Sequence, residues 1–134
     1  MKINYLFLVA IVFMFLSSST GIAQKSWVVP EYTKGLKNPF EGNKTATAEG
    51  KLIYEQMCVL CHGLKGTGNG EAGLSLEKRP ANFLALQDIQ NETDGEIFWK
   101  ITAGKPPMSS YDELLTEDQR WQLVNYIREL NKNK

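Results

Sequence analysis

Cys58-Val59-Leu60-Cys61-His62 sets two thiols three positions apart, with an imidazole directly after the second. On one helical turn, two such thiols can each add to a haem vinyl group. The adjacent imidazole is then held under the iron, where it can ligate. This C-x-x-C-H spacing is the attachment pattern for c-type haem. The sequence holds 2 Cys and 1 His, so the motif uses the full supply of both. Nothing is left for a disulfide, and no second C-x-x-C-H exists to hold a second haem. Other chemistries fit less well. A thioredoxin-type thiol pair expects a βαβ setting. A zinc site wants about four protein ligands, and half of them are missing.

The opposite face of the iron needs its own ligand. With His62 used on one side, a second imidazole is excluded. Two methionines lie beyond the N-terminal apolar run, Met57 and Met108. Met57 adjoins Cys58 on the helix entering the motif and is expected to point away from the opposite face. Met108 stands in Gly104-Lys105-Pro106-Pro107-Met108-Ser109-Ser110-Tyr111. Prolines fix φ and suit an extended loop presenting one side chain inward. A thioether is a soft, neutral ligand that favours ferrous iron and raises the potential. Met108 is therefore the expected sixth ligand, with His62 as the fifth.

Three helices must position these groups. The first is expected from about Thr47 to Met57, with Thr47 as N-cap and Gly50, Ile53, Tyr54 and Met57 on one face. The second begins at Thr93, where Thr93-Asp94-Gly95-Glu96 spells a capping box, and carries Ile97, Phe98 and Ile101. It should end at Gly104 in a left-handed conformation, with Pro106 just beyond. The third begins at a second capping box, Thr116-Glu117-Asp118-Gln119, and carries Leu123, Val124, Tyr126, Ile127 and Leu130. No segment alternates as a strand, so the fold class is all-α. Gly68-Asn69-Gly70-Glu71-Ala72-Gly73 matches G-x-G-x-x-G, but no strand precedes it, and a flexible loop is the better account.

The N-terminus supplies a cellular context. Lys2 precedes an almost wholly apolar run from Ile3 to Leu16, and Gly21-Ile22-Ala23 is a small-x-small cleavage site. This reads as a signal peptide over residues 1–23, cleaved near Ala23. The run is shorter than the roughly 20 residues a membrane span needs. The expected location is periplasmic or otherwise extracytoplasmic. C-type haem is attached after export in bacteria, so the haem c maturation machinery is an expected partner. Removing the signal leaves 14 basic against 15 acidic residues. That balance excludes nucleic acid, which needs a basic face. Residues 24–44 form an N-terminal extension. Pro30, Gly35, Pro39 and Gly42 interrupt any helical period, yet Trp27, Val28, Val29, Tyr32, Leu36 and Phe40 are too apolar for a free linker. The extension is expected to drape over the domain surface, with a docking role left open. Residues 45–134 form the domain proper.

From about residue 45 to 131 the order of motifs resembles monohaem class I cytochromes c, of the group similar to the cytochrome c domain of cbb3-type oxidase subunit III. Gly50-Lys51-Leu52-Ile53-Tyr54, Cys58 to Gly63, Gly66-Thr67-Gly68-Asn69-Gly70, Arg79-Pro80-Ala81-Asn82-Phe83, Ile101 to Met108 and Leu115 to Leu130 carry the resemblance. It implies three to five helices wrapped around one covalent haem c, with the N- and C-terminal helices crossing near Gly50, Tyr54 and Tyr126. It also implies that the Pro80 carbonyl accepts a hydrogen bond from His62 Nδ1, fixing the ring. Trp99 and Arg79 are candidates to reach the haem propionates. Lys65, Lys78, Arg79, Lys100 and Lys105 either ring the haem edge for an acidic partner or are merely solvated; both readings stay open.

The function these features point to is one-electron transfer rather than catalysis. With both axial positions filled, the iron has no open site for substrate. Partners would be a quinol-oxidising complex upstream and a terminal oxidase or reductase downstream, met in small, transient encounters. The rivals are a haem enzyme or gas sensor with an open or displaceable distal site, and a non-diffusing haem subunit of a respiratory complex. Peripheral membrane association stays open.

Overall fold

Helix boundaries follow local capping chemistry. The structure, a computed structural model, describes residues 27–85 and 89–132. The expected signal peptide therefore lies outside the described residues. Five α-helices form among those described: α1 (Lys44–Met57), α2 (Val59–His62), α3 (Glu71–Leu74), α4 (Asp94–Ala103) and α5 (Glu117–Lys132). A 3-10 turn spans Glu31–Gly35. No strand occurs among the described residues, only an isolated antiparallel bridge between Lys105 and Met108. The all-α expectation holds.

Both capping boxes form as the sequence spells them. Thr93 Oγ1 accepts from Glu96 N (3.2 Å), and Glu96 Oε2 accepts from Thr93 N (2.7 Å). The pair Thr116 and Gln119 does the same at 3.2 and 2.9 Å. The backbone N–H bond from Thr93, with smaller help from the cations Lys34 and Lys100, holds the Glu96 carboxyl below its usual range. The first helix departs from expectation. It begins at Lys44, capped by Asn43, whose Oδ1 accepts from Ala46 N (3.1 Å). Asparagine caps at least as well as threonine and stands one turn earlier, so the helix extends back to it. Gly104 ends α4 with φ +62° and ψ 168°, a glycine conformation but not the left-handed helical one.

The frame is the crossing of α1 and α5, the most extensive contact between helices. A Cβ added at Gly50 would lie 2.0 Å from the Gln122 carbonyl oxygen, so the two backbones meet there and only hydrogen fits. One turn on, Tyr54 is fully buried, its ring 5.1 Å from that of Tyr126. Its hydroxyl donates to the Gly63 carbonyl (2.7 Å), tying the crossing to the end of the haem motif. Burial pushes that phenol well above its usual range. Leu123 and Val124 of α5 are fully buried beside it, each worth about 1.5–3 kcal/mol of apolar burial. Met57, expected on the same inner face, is 42% exposed.

The glycine-rich segment after the motif packs closely against it. A Cβ at Gly68, Gly70 or Gly73 would lie 2.4, 2.4 or 2.2 Å from the carbonyl oxygens of Pro80, Leu60 and Cys61. The amides of Gly68 and Gly70 donate to His62 O (2.9 Å) and Cys61 O (3.2 Å). These glycines let the chain fold back closely on the motif. The match to a dinucleotide fingerprint is incidental.

The extension packs on the domain as expected. Thr33 is fully buried, and Gly95 of α4 lies so close to its carbonyl that a Cβ would stand 2.0 Å away. Asn38 Nδ2 donates to Asn125 Oδ1 (2.7 Å) and Asp94 Oδ2 (3.1 Å), joining the segment to α5 and α4.

Candidate haem site

The motif is rigidly mounted. α1 ends where the Cys58 amide donates to Tyr54 O (2.8 Å), and a new turn starts at once. The amides of Cys61 and His62 both donate to Cys58 O, at 3.2 and 2.8 Å. One helical turn thus carries both thiols and the imidazole. The thiols are not bonded to each other. Burial, with a lesser contribution from Cys61, pushes the Cys58 thiol up to about 12. Burial likewise lowers the His62 imidazole, opposed by the Ala81 backbone. A neutral imidazole is the form that can ligate a metal.

These side chains open into a cavity of about 460 Å³. Cys58, Cys61, His62 and Met108 all line it, and Ile97, Ile101, Leu123 and Ile127 supply apolar wall. Phe83 is stacked on His62 with ring centres 4.7 Å apart and planes 17° from parallel.

Met108 is held by a tight turn rather than the expected extended loop. Its amide donates to Lys105 O (2.8 Å), and the Lys105 amide donates back to Met108 O (2.9 Å). The Pro106–Pro107 bond inside this turn is cis. Tyr111 N donates to Ile101 O (3.2 Å) and Ser110 Oγ to Thr102 O (2.7 Å), pinning the turn to the end of α4. The Tyr111 hydroxyl donates across to Met57 O (3.2 Å), joining the Met108 loop to the helix that enters the motif. Met57 also borders the cavity, at its exposed edge.

Other site residues fall in different places. Pro80 lines the cavity, but its carbonyl does not receive the His62 Nδ1 hydrogen. That nitrogen is buried with no hydrogen-bond partner. The Ala81 backbone acts on the ring against the effect of burial. Arg79 borders the cavity and is exposed. Trp99 does not line it; Trp27 does, meeting Trp99 edge-on with ring centres 6.0 Å apart. Lys78, Lys100 and Lys105 reach the wall, and Lys100 is paired with Glu92, whose Oε2 is buried without a partner.

The donor set fits haem c. Two free thiols at the attachment spacing, a half-buried imidazole, a thioether and a largely apolar cavity share one space. Residues 45–127 match the family model described as cytochrome c oxidase, cbb3-type, subunit III. The chain belongs to this family. Membership implies haem c, and Cys58 and Cys61 stand at the spacing of its attachment motif. The cytochrome is also similar to a chain of the Kuenenia stuttgartiensis reducing HAO-like protein complex Kustc0457/Kustc0458. That likeness has a TM-score of 0.64 and 28% identity, over 72% of this chain and 48% of that one. The cytochrome thus spans about half the length of that neighbour. No curated relative matches its sequence.

Proposed function

We infer that this cytochrome is an extracytoplasmic one-electron carrier with a single haem c ligated by His62 and Met108. The observation that carries the reading is the convergence of His62, Met108 and both cysteines on one apolar cavity. When bound, haem c supplies the one-electron couple. The residues do the rest. Cys58 and Cys61 anchor the group covalently, and His62, kept neutral by burial, ligates from the motif side. Met108, fixed by its turn, offers a neutral sulfur that favours the reduced state. The apolar wall excludes water and keeps reorganisation small.

Exposed Met57 and Leu60, next to and within the motif, together with Lys78 and Arg79 at the cavity border, suit a small, transient docking face. A quinol-oxidising complex and a terminal oxidase or reductase are the fitting partners, met on the periplasmic side after export. With both axial positions taken, the protein is a carrier and not an enzyme.

The test is the ferric spectrum and the reaction with carbon monoxide. A low-spin ferric spectrum with the weak long-wavelength band of a thioether–iron bond, and slow carbon monoxide binding when reduced, are expected. A high-spin ferric form that binds carbon monoxide at once when reduced would favour the open-site enzyme or gas sensor.

A further inference from the structure

The wall residue contributed from outside the family region is Trp27. The match to the cytochrome family begins at residue 45, yet this indole from the extension lines the same cavity as Cys58, His62 and Met108. Its ring is held from several sides. Trp99 meets it edge-on, and the ammonium groups of Lys100 and Lys105 stand 5.7 and 5.6 Å from its centre. Both distances fall within cation–π reach.

The segment behind Trp27 is anchored independently of the cavity. Thr33 is buried against Gly95, and Asn38 bonds both Asp94 and Asn125. Asn125 Nδ2 donates in turn to Phe40 O (2.5 Å). Two anchors, on α4 and α5, thus fix a chain whose leading end reaches the cavity. Val28, the next residue, is 71% exposed, so the contact is specific to Trp27.

We propose that residues 27–43 form a strap that completes the cofactor cavity, with Trp27 closing the edge at Lys100 and Lys105 against water. This deepens the haem c reading and rests on it. The chemistry follows from charge. Oxidised haem carries one more positive charge than reduced haem, so water at its edge favours the oxidised form. Trp27 removes that water. Excluding that water raises the potential.

The test is equilibrium redox titration of the haem-loaded full chain and its variants. Trp27→Ala is expected to shift the ferric-to-ferrous equilibrium constant toward ferric by roughly threefold or more, where tenfold corresponds to 59 mV for one electron. Asn38→Ala, which loosens the strap away from the cavity, shifts it the same way. Trp27→Phe keeps most of the closure and most of the potential, and Val28→Ala leaves it unchanged. Trp27→Ala and Asn38→Ala proteins that carry haem with the parent's ligand spectrum and titrate at the parent's potential would overturn the strap alone. If no variant and no parent carries covalent haem, the site reading fails and the strap fails with it.

Discussion

Met108→Ala protein is expected to emerge with its haem attached but its ferric iron high-spin, and to bind carbon monoxide rapidly when reduced. Cys58, Cys61 and His62 are untouched by the change, so attachment persists. The lost thioether is the neutral ligand that favours ferrous iron, and the potential should fall by more than about 0.1 V, part of the roughly 0.8 V that axial-ligand choice spans. Thermal stability falls as well, because a half-buried side chain leaves the cavity wall. The measurement is a redox titration beside optical spectra of both oxidation states. An unchanged low-spin spectrum would remove Met108 from the iron and turn attention to Met57, which borders the same cavity.

Gly50→Ala should have the largest effect on folding of any single methyl addition in the frame. The new Cβ would stand 2.0 Å from a backbone oxygen of α5, and neither helix backbone can rotate that contact away. Overpacking against movable side chains typically costs about 1–3 kcal/mol, and a clash with backbone should exceed it. The helices must separate, uncovering Tyr54, Leu123 and Val124 together. The expected outcome is poor recovery of haem-loaded protein and a thermal midpoint lowered by more than about 10 °C. Gly35→Ala is the matched control, since nothing stands within 4 Å of its Cβ direction. A Gly50→Ala midpoint equal to the parent's would mean that the helices do not cross in contact there.

These two predictions draw on features of unequal visibility in the sequence. The attachment motif is five consecutive residues, so spacing alone places its three donors on one turn. The capping boxes are equally local, because donor and acceptor are three residues apart. The Gly50 crossing is a long-range contact and became legible through family resemblance rather than periodicity. The start of α1 differs from the expected one because Asn43 and Thr47 are both competent caps, and the helical period of apolar residues begins only after Thr47. Packing of the glycine loop depended on backbone approaches that no side-chain pattern records. Trp27 was hidden for a different reason. Its segment is held by pairs such as Asn38 with Asn125, 87 positions apart, and either indole, Trp27 or Trp99, suits a propionate edge by residue type. That His62 Nδ1 is left without a hydrogen-bond partner was likewise a matter of loop placement around Pro80.

The measurement closest to the centre of this account is the intact mass of the chain recovered from a host that matures c-type cytochromes, taken with its visible spectrum. The account predicts a chain heavier by one haem, with the haem retained after denaturation and a strong Soret band. Loss of the added mass on changing Cys58 and Cys61 to serine should follow. A chain at its bare polypeptide mass without Soret absorption would contradict the account at its root.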